Sequence, residues 1–197
     1  DDKDLHQTTF FEYQTQMDNT PVDSLALAHK YHREQDYRSR VGSIYTLRAA
    51  EAWLNKAEAC AMQNGKEADA CAALNELRRN RIADYVDKQY TGTELIDQVR
   101  LERRKELCFE GQRWFDLRRY AVCEAHPYKR TITHVLNVPD SNKGTYRYSY
   151  VYNLEPDDPA YVFAIPSDIQ EFDKLEKNPR QKREPVLKGV LIKTEDE

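Results

Sequence analysis

Apolar residues recur at helical spacing along three stretches of the first two thirds of the chain. In the first stretch Leu47, Leu54 and Ala61 lie seven residues apart, which places them on one side of an α-helix. Gly65 follows this stretch, and a glycine there tolerates the left-handed conformation that ends a helix. The pattern therefore predicts helices over about residues 43–63, 67–82 and 93–120.

The third predicted helix places charged residues where apolar ones are expected. Ile96 and Val99 fall on one face at about 100° per residue. Arg103, Glu106 and Glu110 fall on the same face. Charges on a buried stripe cost several kcal/mol each unless they are paired. This helix is therefore expected either to carry a buried ion-pair network or to present its charges to a ligand.

The first helix repeats this anomaly, because Glu51 and Glu58 lie on its apolar stripe. The structural interpretation is that these carboxylates meet Arg103 or Arg113 across a contact between helices. The predicted structural ion pairs involve Arg48, Glu51, Glu58, Arg103, Glu106, Glu110, Arg113 and Asp116.

A catalytic interpretation of the same helix is the alternative. Glu106 and Glu110 lie one turn apart and could be the paired carboxylates of a glycoside hydrolase. Arg103 and Arg113 lie within a turn of them and would hold both carboxylates ionised. The structural interpretation is therefore favoured.

The chain changes character after Pro127. Tyr146, Tyr148, Tyr150 and Tyr152 alternate with other residues at period two, which predicts a strand with the four tyrosines on one face. Such a face can stack on sugar rings while the phenol hydroxyls form hydrogen bonds. Alternatively, it packs on the helices with its hydroxyls reaching solvent, and this second interpretation is favoured.

Shorter segments carry local signals. Ser24 to His29 is amphipathic and predicts one or two helical turns, and Ser167 to Glu171 resembles a capped helical turn. Gly111 lies inside the third predicted helix, where glycine costs about 1 kcal/mol relative to alanine. Close approach of another backbone would explain its presence.

Composition excludes several classes of protein. The net charge of −4 argues against binding to nucleic acid or to a membrane surface, since both need a basic footprint. A length of 197 residues predicts a single domain with its own core. No nucleotide-binding fingerprint is present, and His29 and His32 lack a third metal ligand nearby, so no cofactor and no metal are predicted.

Two of the four cysteines leave an alternative open. Cys60 and Cys71 flank the turn between the first two predicted helices, so a disulfide could join them. Small buried thiols are the favoured interpretation.

Four blocks occur in a fixed order between about Tyr31 and Pro179. They are Arg48-x-x-Glu51-x-x-Leu54-x-x-Ala57-Glu58-Ala59, then Leu74-Asn75-x-x-Arg78-x-x-Arg81, then Glu102-Arg103-Arg104-x-Glu106-Leu107-x-Phe109-Glu110-Gly111-x-Arg113-Trp114-Phe115-Asp116-Leu117-Arg118-Arg119, and lastly Ile165-Pro166 with Asn178-Pro179. In order and approximate spacing these blocks resemble the C-terminal part of SusD/RagB proteins.

The resemblance implies a surface-exposed outer-membrane lipoprotein that binds glycans or other nutrients and is not an enzyme. Its partner would be a SusC-type TonB-dependent transporter. Family members are several hundred residues long and begin with a lipidated cysteine. The chain is therefore expected to be the C-terminal portion of a longer parent, which would reach the membrane only through an N-terminal lipid anchor absent from this chain.

The resemblance and the helical pattern together predict a mainly α fold. We expect a tetratricopeptide-like helical hairpin, a further long helix, a loop-rich region and one or two short strands. The predicted function is non-catalytic nutrient binding. The alternative is a helical-repeat adaptor that binds a protein partner on its concave helix surface.

Overall fold

The structure, a computed structural model, describes residues 3–17, 20–28, 30, 47–139, 146–174 and 183–190. The chain divides into two compact units, Asp1–Phe115 and Asp116–Glu197. The single domain expected from the length of the chain stays a prediction.

Helices prevail over strands among the described residues, which confirms the mainly α fold. The helices are α1 (Leu5–Phe10), α2 (Ala49–Ala61), α3 (Glu67–Arg79), α4 (Gly92–Glu106), α5 (Gln112–Ala121) and α6 (Ser167–Asp173). The strands are β1 (Phe11–Met17), β2 (Thr20–Ala28), β3 (Ile132–Pro139), β4 (Tyr146–Leu154) and β5 (Leu187–Val190). β1 pairs with β2, and β3, β4 and β5 form a second antiparallel sheet in that order.

The core of the first unit is a helical hairpin with a third helix packed on it. α2 and α3 are joined by a short turn at Gly65, whose φ of +76° is left-handed, and α4 packs against both helices. Ala57 and Ala70 are fully buried in the hairpin, where small side chains allow close approach. Leu95 and Val99 of α4 complete this core without exposure to solvent. The predicted hairpin is therefore present in the structure.

The third predicted helix is two helices, which corrects the prediction of one continuous element. α4 ends at Glu106, and α5 begins at Gln112. Between them Phe109 and Gly111 have φ of +64° and +75°, and left-handed residues end a right-handed helix. Among the described residues, no atom outside its two chain neighbours lies within 4 Å of a Cβ built at Gly111. The predicted close approach of another backbone is therefore not seen in this part of the chain, and the left-handed φ accounts for the glycine.

The strands exceed what the sequence pattern indicated. The strand predicted at Tyr146–Tyr152 is confirmed as part of β4, and α6 confirms the helical turn at Ser167–Glu171. The helical turns predicted from Ser24 are wrong, because residues up to Ala28 belong to β2. β2 is stabilised by backbone hydrogen bonds to β1, and the local sequence pattern does not predict this pairing. His29 and the closing Asn178-Pro179 lie outside the described residues.

All four cysteines are free thiols, so the disulfide between Cys60 and Cys71 is not formed. Cys71 is buried on α3, and its sulfur lies 3.3 Å from the backbone nitrogen of Tyr90. The favoured interpretation of small buried thiols therefore holds for Cys71.

Replacing Gly111 with alanine tests the helix break. We expect Gly111→Ala to lower the free energy of unfolding by about 1–2 kcal/mol, because a Cβ is unfavourable in a left-handed conformation. Urea unfolding measures this change. Gly65→Ala is the matched control, since that glycine has the same open surroundings and nearly the same φ. A Gly111→Ala protein that is more stable than wild type would instead indicate a continuous helix.

Candidate functional site

The carboxylate of Glu106 is the centre of a buried charge cluster in the first unit. Its side chain has no solvent exposure. Arg81, just after α3, approaches it with two nitrogens, Nε 2.7 Å from Oε2 and Nη2 3.0 Å from Oε1. Arg48 donates from Nη1 to Oε1 at 3.0 Å, and His6 Nε2 lies 2.8 Å from Oε2. Both carboxylate oxygens are therefore met by side chains from separate segments.

The cluster holds Glu106 in its ionised form. Burial by itself would raise the pKa of this carboxyl, but hydrogen bonds from His6 and Arg81, with the charges of Arg81 and Arg48, lower the pKa to about 2. A group with this pKa does not donate a proton near neutral pH. In the glycosidase interpretation, Glu106 is therefore unsuited to the role of general acid.

His6 bridges two carboxylates. Its Nδ1 lies 2.5 Å from Asp4 Oδ1, and its Nε2 faces Glu106. Burial by itself would lower the pKa of His6, but hydrogen bonds to Glu106 and Asp4 raise it above its usual value. Through these two contacts the imidazole of His6 joins α1 to the end of α4.

Two cations cover the C-terminal end of α4, where backbone carbonyls have no partner within the helix. Lys30 Nζ donates to the carbonyl oxygens of Glu106 at 2.5 Å and Cys108 at 3.2 Å, and Arg48 Nη2 donates to Glu106 O at 2.9 Å. The same two nitrogens lie 2.5 and 2.8 Å from Glu110 Oε1. Positive charge is favourable at this end of a helix. Glu110 therefore belongs to the cluster that fixes the α4–α5 turn.

A second buried pair joins α3 to α4. Arg78 Nε donates to Glu102 Oε2 at 2.7 Å, and its Nη1 and Nη2 donate to Tyr90 Oη at 3.2 Å and Gln98 Oε1 at 2.9 Å. Glu102 is fully buried. This arginine therefore has three side-chain acceptors around its planar guanidinium.

The other predicted ion-pair residues are placed as follows. Arg103 Nη2 lies 3.7 Å from Glu51 Oε1, and Arg103 Nη1 donates to Asn55 Oδ1 at 2.8 Å. Glu58 is buried on α2. Asp116 pairs with Arg119 at 3.0 Å within α5. Arg113 is half-buried, and no carboxylate of a described residue lies within 4.0 Å of it. The structure thus brings Arg48, Glu106 and Glu110 together and pairs Arg103 with Glu51 and Asp116 with Arg119, whereas it places no described carboxylate beside Arg113.

The sequence patterns did not single out His6, Lys30, Arg81 or the Arg78–Glu102 pair as members of the ion-pair network. Glu102 was detectable, because it extends the buried stripe of Leu95 and Val99 at helical spacing. Nothing near His6 or Lys30 in the sequence connects them to Glu106, from which they are 100 and 76 residues away.

Two of the four candidate tyrosines form a partly exposed aromatic surface on the sheet of the second unit. Tyr150 and Tyr152 are half-buried, with ring centroids 6.4 Å apart. Leu136, which is 48% exposed, lies opposite Tyr150, and the exposed His134 lies opposite Tyr152. Directly opposed residues of an antiparallel pair share a face. This face therefore presents two aromatic rings beside an exposed apolar side chain.

The other two tyrosines continue along β4. Tyr148 lies opposite Val138, and Tyr146 lies opposite Pro139 beyond a shift of register. Their side chains lie outside the described parts of the structure. On the opposite face of the sheet, Ser149 Oγ donates to Asn137 Oδ1 at 2.6 Å. The two faces thus differ in chemistry, which makes the tyrosine face the candidate for ligand contact.

The sequence model of the SusD family matches residues 12–180. The chain belongs to the SusD family. No curated protein and no solved structure gives a significant match. Members of the SusD family are in general non-catalytic binding proteins of the outer membrane and the cell surface. The family resemblance seen in the sequence blocks is therefore confirmed.

None of the helices among the described residues is both long and apolar enough to cross a membrane. No group of three His, Cys, Asp or Glu side chains in the described ranges is placed to hold a metal ion. The histidines considered as metal ligands, His29 and His32, fall outside those ranges.

Removing the Glu110 carboxylate tests the buried cluster. We expect Glu110→Ala to lower the free energy of unfolding by about 3–5 kcal/mol, because Lys30 and Arg48 lose a carboxylate partner while buried. The matched control is Glu76→Ala, which breaks an exposed pair with Arg79 and should cost less than about 1 kcal/mol. Melting curves that show equal, small changes in both variants would contradict the structural role.

The lowered pKa of Glu106 predicts a loss of stability in acid. Since the folded pKa of about 2 lies below the ordinary 4.5, the contribution is complete above about pH 4.5 and is lost as pH falls toward 2. This shift corresponds to about 3 kcal/mol. We expect the difference in unfolding free energy between wild type and Glu106→Gln to shrink by that amount across this range. A difference that does not change across this range would contradict the assignment.

Proposed function

We propose that this protein binds a glycan or another nutrient as a non-catalytic component of an outer-membrane uptake complex, together with a SusC-type TonB-dependent transporter. The match of the SusD family model over residues 12–180 carries this proposal. Family membership supports the proposed transporter partner and the proposed lipid anchor at the cell surface.

The charge cluster supports a scaffold role for the first unit. Glu106 and Glu102 are fully buried and committed to arginine partners, so neither is accessible to a substrate. An ionised Glu106 holds the surrounding arginines in place and is not poised to donate a proton near neutral pH. This arrangement fits a binding protein better than a hydrolase.

The tyrosine face supplies the contacts that a glycan needs. The rings of Tyr150 and Tyr152 expose part of their surface, and Leu136 lies next to them. Pyranose rings carry apolar C–H faces that stack on aromatic rings, while phenol hydroxyls bond the sugar hydroxyls. We therefore assign glycan contact to this face of the sheet.

Calorimetric titration of the chain with a panel of soluble plant and host glycans tests this function. For a glycan that binds, we expect Tyr150→Ala and Tyr152→Ala each to weaken affinity about 2- to 10-fold, which corresponds to an aromatic contact of about 0.5–1.5 kcal/mol. Phe172→Ala is the matched control, because Phe172 is an aromatic residue with 87% exposure that belongs to α6 and not to the sheet.

Two results would count against the proposal. Failure of the wild-type chain to bind any glycan of the panel would contradict glycan binding by this chain. Binding that both tyrosine variants leave unchanged, with normal melting temperatures, would move the contact surface away from β4.

A further inference from the structure

The second unit contains an open cleft of about 490 Å³ between α5 and the segment that follows β4. Arg118 and Arg119 line it from the helix, and Asp157, Asp158 and Val162 line it from the segment. It shares none of its lining residues with the tyrosine face of β4. The cleft is therefore separate from the tyrosine face.

Three of the four charged side chains that line the cleft already have partners of opposite charge. The pairs are Arg119 with Asp116 at 3.0 Å, Asp157 with Lys129 at 3.4 Å, and Asp158 with Arg183. Asp158 also accepts a hydrogen bond from the backbone nitrogen of Ala160 at 2.8 Å. These charges are therefore balanced within the unit.

Arg118 differs from these three residues. Its Nη1 donates to the carbonyl oxygen of Tyr161 at 3.0 Å, which orients the guanidinium without neutralising its charge. Among the described residues no carboxylate lies within 4.0 Å of Arg118. Its Nε and Nη2 remain as donors on an exposed, oriented fork. A carboxylate is the group whose geometry this fork matches.

Apolar side chains in the lining are open to solvent. Val122 is 78% exposed and Val162 is 57% exposed, and the exposed Pro159 lines the cleft from the same segment as Val162. Ligand sites combine such apolar surface with a few oriented polar groups. An apolar C–H face of a sugar ring could pack on the valines while a charged substituent reaches the arginine.

We propose that this cleft binds an acidic sugar residue whose carboxylate accepts hydrogen bonds from Arg118. The choice of a sugar rests on the glycan binding proposed above, and the choice of a carboxylate rests on the unbalanced charge of Arg118. The cleft is thus a second subsite, separate from Tyr150 and Tyr152, that selects uronic acids over neutral sugars.

The test is calorimetric titration of the full chain with a galacturonic acid trisaccharide and with the neutral galactose trisaccharide of the same linkage. We expect the acidic trisaccharide to bind more tightly, and Arg118→Gln to weaken its binding about tenfold or more while the neutral one is unaffected. The matched control is Arg130→Gln. Arg130 is likewise exposed and donates its Nη1 to an oxygen, Tyr128 Oη at 3.0 Å, but does not line the cleft.

The outcomes separate this inference from the proposed function. Equal affinity for the two trisaccharides, or equal effects of Arg118→Gln and Arg130→Gln, overturns the acidic subsite and leaves neutral glycan binding standing. Binding of neither trisaccharide nor any glycan of the panel overturns both. If Arg118→Gln does not fold, the second measurement is the affinity of the wild-type chain for both trisaccharides at raised salt concentration. Salt should weaken binding of the acidic trisaccharide alone, and an unchanged affinity contradicts the proposal.

Discussion

The first unit depends on one constraint, which is that the carboxylate of Glu106 is ionised where no water reaches it. Such a charge is tolerated only if donors surround it. Arg81 comes from the end of α3, Arg48 from the residue before α2, and His6 from α1. Because each donor belongs to a different segment, satisfying this single carboxylate also sets the positions of the helical hairpin, α4 and α1 relative to one another.

The same cluster explains why the charged block of sequence does not form one long helix. Lys30 and Arg48 take up the carbonyl oxygens at the end of α4, so the helix can stop at Glu106 without leaving them unpaired. Phe109 and Gly111 then turn the chain, because both adopt left-handed conformations. The carboxylate of Glu110 between them forms ion pairs with Lys30 and Arg48. The turn is thus held by charge as well as by backbone geometry.

Arg78 in the first unit and Arg118 in the second unit differ in burial and in the partners of their guanidinium groups. Arg78 is buried and donates to three side chains, so its hydrogen-bonding capacity is directed inward. Arg118 is exposed, donates to one backbone carbonyl and faces a cleft. The first arrangement rigidifies a scaffold, while the second is the one that we propose for contact with a ligand carboxylate. Tyr150 and Tyr152, whose side chains are half-buried, are likewise proposed as ligand contacts.

The sequence by itself determined where several elements lie, since helical periodicity placed the hairpin, period-two tyrosines placed β4, and the charge anomaly singled out Glu106 and Glu110. The motif blocks also sufficed for the family. Only the tertiary structure decided the partners of those charges and the break between α4 and α5. Polarity patterns are local and carry no information on the φ angle of Phe109. His6 lies 100 residues from Glu106 in the sequence and contacts Glu106 only because distant segments pack together. The partner of a buried charge is a property of packing, so periodicity predicts that a partner is required but not which residue supplies it.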